Sequence, residues 1–320
     1  MKEQIKEALN HVTFKTYQLN LESQTNISLP SFKGSTFRGG FGYAFKKVVC
    51  AIKNTCCQEC LLKTRCLYIK IFISPTPENA VVLKSSSNIP HPFIITAPEE
   101  QKNIYNEKKI INAGLTLIGQ CIDYLPYFIY TFDELGKRGI GKGRGKYHLI
   151  SALANLNGST MEIYKNNLLK DEGNPYSVLD LLKRFKPSPN RITLEFKTPM
   201  KIKYGNHYAD RIEFHYLIRN LLRRLSSLSR FYCKAPLDIN FPAIIKEAEK
   251  VKIVKSNTQW IDLFVRKTKS QDSRMTIGGV TGKTVYEGNI EPYLPILLLG
   301  EQLRAGKNIS FGCGRFEIQG

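Results

Sequence analysis

Two groups of residues in this chain have the types and spacing to do chemistry. The first is a cysteine cluster, Cys50-x6-Cys57-x2-Cys60-x5-Cys66, in which Cys56 competes for the second position. Thiolates three residues apart can share one tetrahedral zinc, and the flanking cysteines Cys50 and Cys66 would complete four ligands. The spacing is not that of tandem CxxC pairs, so free thiols and an iron–sulfur cluster are the competing readings. The second group is a pair of glycine-rich, cation-bearing strings, "GKRGIGKGRGK" (136–146) and "GKNISFGCGR" (306–315). Glycine brings backbone N–H groups close to phosphate oxygens with no Cβ in the way, and Lys or Arg adds charge. Lys142, Arg144, Lys146, Lys307 and Arg315 are the candidates for gripping a polyanion backbone. The competing reading is a tight helix-to-strand connection with incidental cations.

A third stretch, "STFRGGFGYAFKKVVC" (35–50), reads as a helix. Phe37, Phe41, Phe45 and Val48 recur at helical spacing and form an apolar stripe. Gly39, Gly40, Tyr43, Lys46, Lys47 and Cys50 fall on the other face. Interior helix glycines cost about 1 kcal/mol each against alanine, so several together point to close approach of a neighbour. That neighbour is either another domain or a bound strand lying against Tyr43, Lys46 and Lys47. "GGVTGKT" (278–284) is not a nucleoside-triphosphate loop. The position where that motif needs its first glycine is Ile277, and "TVYEG" reads as a strand rather than a helix. A glycine-rich hairpin carrying Lys283 is the expectation there. Of the five histidines only His207, in "KYGNHYADR" before a helical pattern, is carried as a catalytic or RNA-contact candidate.

These residues sit in a strongly basic chain. Among 320 residues, 47 Lys and Arg face 27 Asp and Glu, a net charge of +20. The surplus clusters in residues 136–146 and in "RNLLRRLSSLSR" (219–230), which contains Arg223 and Arg224. Clustered cations are the electrostatic footprint of a nucleic-acid partner. The start "MKEQIKEALN" is polar and amphipathic, and the longest apolar run, "YLPILLLG", is far below the roughly 20 residues of a membrane span. A cytoplasmic protein without membrane contact is expected, in which the cysteine cluster holds metal rather than disulfides. Cys121, Cys233 and Cys313 stand alone and read as small buried or turn residues.

The elements that must position these groups repeat. "YLPYFIYTFDELGKRGIGKGRGKYHLI" (124–150) and "YLPILLLGEQLRAGKNISFGCGRFEI" (293–318) align without gaps. At one constant offset Pro126 matches Pro295, Gly143 matches Gly312, Gly145 matches Gly314 and Lys146 matches Arg315. Such a match implies duplication of one supersecondary unit. Upstream, "TYQLNLES" (16–23) and "RITLEFKT" (191–198) alternate like strands, and each precedes a helical pattern. Strand, helix, two strands, helix, strand is the ferredoxin-like βαββαβ plan. The fold class is therefore α+β, with two tandem ferredoxin-like domains over residues 1–187 and 188–320, joined at "RFKPSPNR" (184–191).

Together these motifs resemble the CRISPR-associated endoribonucleases of the RAMP superfamily, which cut precursor CRISPR RNA at its repeats. The resemblance runs through "STFRGGFGYAFKKVVC", the Cys57/Cys60/Cys66 cluster, "HPFIITAP", residues 115–145, "LEFKTPMKI", "RNLLRRLSSLS" and the C-terminal glycine string. It implies a basic cleft for CRISPR repeat RNA and metal-independent cleavage. In that reaction the upstream 2′-hydroxyl attacks the phosphate, leaving a 2′,3′-cyclic phosphate and a 5′-hydroxyl. This requires proton transfer at both oxygens and cations for the phosphorane. The chain departs from its relatives at two places. Tyr43 stands where many carry His on the first helix, and Arg304 stands where many carry His before the final glycine loop. Tyrosine acts as acid or base only where its surroundings tune it, and arginine keeps its proton and suits phosphate.

The expected catalytic set is accordingly Tyr43, Lys46, Lys47 and His207. The expected RNA contacts are Arg38, Lys142, Arg144, Lys146, Arg223, Arg224, Lys283, Arg304, Lys307 and Arg315. No cofactor is expected for catalysis, and a structural zinc is expected at Cys50, Cys57, Cys60 and Cys66. The partners expected are repeat RNA and CRISPR effector subunits, with the protein a monomer or homodimer. A repeat-binding protein without cleavage and a structural RAMP subunit of an effector complex are the alternative functions.

Overall fold

The computed structural model describes residues 1–75, 89–156, 159–183, 185, 190–267 and 274–319. The chain forms two compact units, residues 14–175 and residues 1–13 together with 176–320. In the N-terminal unit, strand β1 (Phe14–Ser23) leads into helix α2 (Gly34–Val49). Strands β2 (Phe93–Thr96) and β3 (Ile110–Ile118), helix α3 (Leu125–Arg138) and strand β4 (Tyr147–Leu156) complete a βαββαβ set. Strand β5 (Ser159–Lys165) extends the sheet beyond it. The strand order is β2-β3-β1-β4-β5, and every pairing is antiparallel. Alternation along β1 drives this arrangement: Tyr17, Leu19 and Leu21 are buried, and the residues between them are not. The apolar stripe of α2 meets α3 through stacked and tilted rings. Phe41 lies 5.0 Å from Phe132 and 5.3 Å from Phe128, between ring centroids. Phe37, Phe41 and Phe45 are fully buried, whereas Val48 is half-buried.

The C-terminal unit repeats the plan. It runs β6 (Arg191–Met200), α5 (Phe214–Tyr232), β7 (Lys252–Lys267), β8 (Arg274–Glu287), α7 (Leu294–Leu303) and β9 (Phe316–Gln319). Its order, β7-β8-β6-β9, is again antiparallel throughout. In both sheets the first strand of the motif lies between the third and the fourth. The two units are thus tandem ferredoxin-like folds, as the duplicated string implies. Among the described residues, the α-helices added to these motifs are α1 (Lys2–Leu9), α4 (Val178–Leu182) and α6 (Phe241–Ala248).

The units do not divide at the proline-rich linker. Ile5 and Leu9 of α1 are fully buried against α7 and its approach, and α4 packs on α7 as well. The first 13 residues and those from 176 onward therefore belong to one core. Tethering of residues 170–175 to β1 holds the other boundary: Lys15 Nζ lies 2.6 Å and Tyr17 Oη 2.8 Å from the Asp171 carboxylate. Among the described residues no helix is long and apolar enough to cross a membrane.

Candidate nucleic-acid interface

The two glycine strings form the same kind of turn after the second helix of each βαββαβ motif. In the N-terminal unit α3 ends where Gly139 adopts φ +81° and donates its N–H to Leu135 O. The returning chain closes on itself (Ile140 N–H to Gly145 O, 2.9 Å) and docks on the residues after β1 (Lys142 N–H to Ser28 O, 2.9 Å). In the C-terminal unit Arg304 takes φ +65°, Ala305 N–H donates to Gly314 O (3.0 Å), and Gly314 N–H donates to Pro199 O (3.1 Å).

The matched glycines do different jobs within each turn. Gly143 has φ +79° and open space around its missing Cβ; its counterpart Gly312 has φ +94° and is nearly as open. Gly145 and Gly314 are jammed instead. A Cβ would lie 2.5 Å from Asn26 O in the first and 1.8 Å from Ala305 O in the second. One glycine of each pair thus builds the turn, and the other presents bare backbone. Around Gly143 the side chains of Lys142, Arg144 and Lys146 are all exposed.

The C-terminal turn keeps less of its charge at the surface. Lys307 is exposed, while Arg315 is half-exposed and paired with Glu317 at 2.5 Å. Arg304, expected as an RNA contact, is only 5% exposed. Its left-handed backbone tucks the guanidinium beneath the turn, where a Cβ on Gly312 would lie 3.7 Å from Nη1. Arg224 also differs from expectation. Its Nε donates to Leu303 O (2.8 Å), closing the C-terminus of α7. Burial, and then the Arg304 charge, lower its pKa from the ordinary arginine value. Arg223, one residue earlier on α5, is exposed.

On α2 the exposed face is assembled much as the periodicity implies. Tyr43 is 61% exposed, with Arg138 5.4 Å and Lys47 5.7 Å from its ring centroid. Tyr43, Lys46, Lys47, Lys53 and Cys50 line an open basin of about 300 Å³. The neighbouring Cys57 raises the pKa of Lys46 and favours its charged form. The helix glycines explain themselves locally. A Cβ on Gly42 would lie 2.0 Å from the Phe72 ring, and one on Gly40 2.9 Å from Leu135 of α3. They admit neighbours within the unit, whereas Gly39 is open. Arg38 is turned inward: its guanidinium sits 3.6 Å above the Phe72 ring and 3.4 Å from His91 Nε2, and burial pushes its pKa down to about 10. It does not share the surface of Tyr43.

The remaining expectations scatter. "GGVTGKT" is not a hairpin turn but the middle of β8. Its glycines let strands approach, Gly279 against the backbone of Met200 and Gly282, at φ +109°, against Asn257 O. Lys283 is exposed on that strand, 3.6 Å from Glu195. His207 is exposed in a short pairing of residues 203–204 with 207–208. Among the described residues no three His, Cys, Asp or Glu side chains converge as a metal-holding group. Cys50 Sγ instead donates to Ile52 O (3.1 Å). The thiols as placed do not fit the tetrahedral set.

Sequence reasoning missed a group beside the C-terminal turn. Tyr208 and Trp260 are 42% and 38% exposed, with Lys201 between them. The one available signal was the run of aromatics and cations from Lys201 to Tyr208.

Comparison with known proteins follows the same division. Residues 12–174 match the AF_1859_N family model, described as an N-terminal domain, and residues 194–316 match that of the CRISPR-associated endoribonuclease Cas6. An uncharacterized protein of Archaeoglobus fulgidus is 26% identical over 295 residues, covering 91% of this chain and 93% of its own. Among solved structures, a Cas6 product complex is 15% identical with a TM-score of 0.58, covering 96% of this chain and 99% of that one. Thermus thermophilus Cas6 is 14% identical with a TM-score of 0.56 over the same shares. A partial Cas6-RT-Cas1–Cas2 complex is 12% identical with a TM-score of 0.58, covering 98% of this chain and 47% of that one.

Proposed function

Because the chain belongs to the CRISPR-associated RAMP-type family, with the AF_1859_N domain as its N-terminal half and a Cas6 endoribonuclease domain in its C-terminal half, we propose that it binds CRISPR repeat RNA and cleaves precursor crRNA. The observation that carries this reading is the repeated turn. Each unit offers a glycine with open or nearly open space at its missing Cβ, Gly143 or Gly312, in a turn that also carries an exposed lysine, Lys142 or Lys307. Phosphate oxygens can approach such Cβ-free backbone closely and are neutralised by such cations, although the Gly312 N–H itself donates to Ile309 O (2.9 Å).

In the proposed reaction the 2′-hydroxyl loses its proton and attacks the adjacent phosphorus. The P–O5′ bond breaks, and the 5′ oxygen gains a proton. Tyr43 is the group proposed for proton transfer, because its phenol is exposed between Lys47 and Arg138 at the rim of the lysine basin. Lys46 and Lys47 would hold the phosphorane charge, a role suited to compact, fixed cations. His207 keeps a place only as an RNA contact or accessory acid–base group of the C-terminal unit.

A second reading, repeat-RNA binding without cleavage, is favoured by one observation: Arg304, at the position where the family resemblance implies His in many members, is buried beneath the turn. Incubation with cognate repeat RNA in EDTA, followed by end-group analysis, separates the two. Cleavage leaving a 2′,3′-cyclic phosphate and a 5′-hydroxyl is the expected result. Binding without products would favour the second reading, and absence of binding would overturn both. The proposed partners are repeat RNA and, as for the Cas6 of the Cas6-RT-Cas1–Cas2 complex, other CRISPR proteins. A structural zinc on Cys57, Cys60 and Cys66 with Cys50 remains a proposal that requires the loop to rearrange.

A further inference from the structure

We propose that Tyr208, Trp260, Lys201 and Lys307 form a subsite of the C-terminal unit that takes unpaired nucleotides, with bases against the two rings and phosphates on the two lysines. This rests on the reading that the chain binds RNA and adds which part of the RNA is held, and where.

The group is fixed by backbone pairing. Trp260, Val280 and Met200 stand in register across three neighbouring strands, which sets Trp260 beside the chain leaving β6 at Lys201. Lys307 N–H donates to Lys201 O (2.9 Å), which ties the glycine turn to the same point. Lys201 Nζ then lies 4.3 Å from the Tyr208 ring centroid and 5.8 Å from that of Trp260. Lys307 Nζ donates to Tyr208 Oη (3.1 Å). The indole N–H of Trp260 donates to Asp262 Oδ1 (3.2 Å), which orients the ring through its edge.

Both rings remain well exposed, whereas Phe196, Phe214, Tyr286 and Tyr293 of the same unit are buried. The surrounding charge is positive enough to lower the Tyr208 pKa, chiefly through the Lys307 hydrogen bond and then through Lys201 and Lys203. Lysines alone would serve a duplex equally well. Exposed ring faces beside them serve only bases released from stacking, which a single strand or loop offers and a paired stem does not.

Trp260 is the only tryptophan in the chain, so intrinsic indole emission reports this subsite alone. The full chain is titrated with three ligands of equal length: single-stranded repeat RNA, a blunt RNA duplex and an abasic ribose-phosphate chain. Fluorescence anisotropy of labelled copies measures binding independently. The expected result is emission quenched in step with single-strand binding, and unquenched when the duplex or the abasic chain binds. Tyr208→Ala and Trp260→Ala should each weaken single-strand binding by about 5- to 150-fold, the range for loss of one stacked base. Tyr208→Phe should keep most of the affinity. Duplex binding within twofold of wild type shows that the variants are folded.

If single-stranded RNA binds with unchanged emission and the alanine variants match wild type, the subsite is wrong while RNA binding stands. Equal quenching by the abasic chain would also overturn it, by reducing the site to phosphate attraction. If no RNA binds at all, the subsite and the proposed function fall together.

Discussion

Tyr43 bears the chemistry in this account, and its setting differs from that of the other expected residues. It is exposed, cation-flanked and on a helix whose opposite side is locked by Phe37, Phe41 and Phe45. Tyr43→Phe keeps the ring and removes the transferable proton. Cleavage of repeat RNA should fall by about 10²- to 10⁴-fold with binding nearly unchanged; a rate equal to wild type in single-turnover assays would remove Tyr43 from the mechanism. A second residue-scale expectation concerns Cys313. Burial pushes its thiol up from 9.0 to about 11. The folded state therefore holds this proton more tightly than the unfolded chain, and stability falls as pH rises from about 9 to about 11. The loss from this group is about 3 kcal/mol, and denaturant midpoints of Cys313→Ala should decline less steeply over that window. Exposed lysines next to glycines were legible in the sequence because such strings cannot pack. Arg38, Arg224 and Arg304 were not: the first two are drawn inward by partners from distant segments, Phe72 and Leu303 O, and the third folds beneath its own turn at Gly312.

At the scale of elements, the duplicated turn was the clearest feature in the sequence. The ungapped match of 124–147 to 293–316 reflects one order of parts, helix, positive-φ exit, returning turn and strand, although α3 runs four residues further along the match: its exit at Gly139 aligns with Asn308, whereas α7 exits at Arg304. What the match could not reveal is that its two glycines have separate roles. Gly314→Ala would drive a Cβ to 1.8 Å from Ala305 O at φ +77°. A loss of about 1–3 kcal/mol is expected in urea unfolding. Gly143→Ala meets no atom and should cost only about 1 kcal/mol, from its left-handed backbone, while weakening repeat-RNA binding if phosphate rests on that backbone. Equal stability losses in the two variants would contradict the division of labour. The glycines of α2 teach the same lesson. Their spacing announced a close neighbour, but only packing shows that Gly42 faces Phe72 and Gly40 faces α3. The glycine-rich stretch of β8 implies a hairpin yet lies within one strand, because bulge-forming and turn-forming glycines look alike in one dimension.

At the scale of the whole chain, the βαββαβ plan was readable twice because alternation marks β1 and β6 and helical stripes mark α2 and α5. The unit boundary was not. Pro187 and Pro189 suggest a boundary in the sequence but lie outside the described residues, whereas the core follows Ile5, Leu9 and the residues of α4 onto α7. The net charge of +20 was equally plain from composition, and its placement at Lys142, Arg144, Lys146 and Lys307 gives it a use. The most direct test is the affinity of the intact protein for its repeat RNA as salt is raised from 50 to 200 mM. With about six or more phosphates neutralised, affinity should fall by about 10³-fold or more, log-linearly in salt. An affinity that stays flat across that range would contradict the claim that these turns hold an RNA backbone.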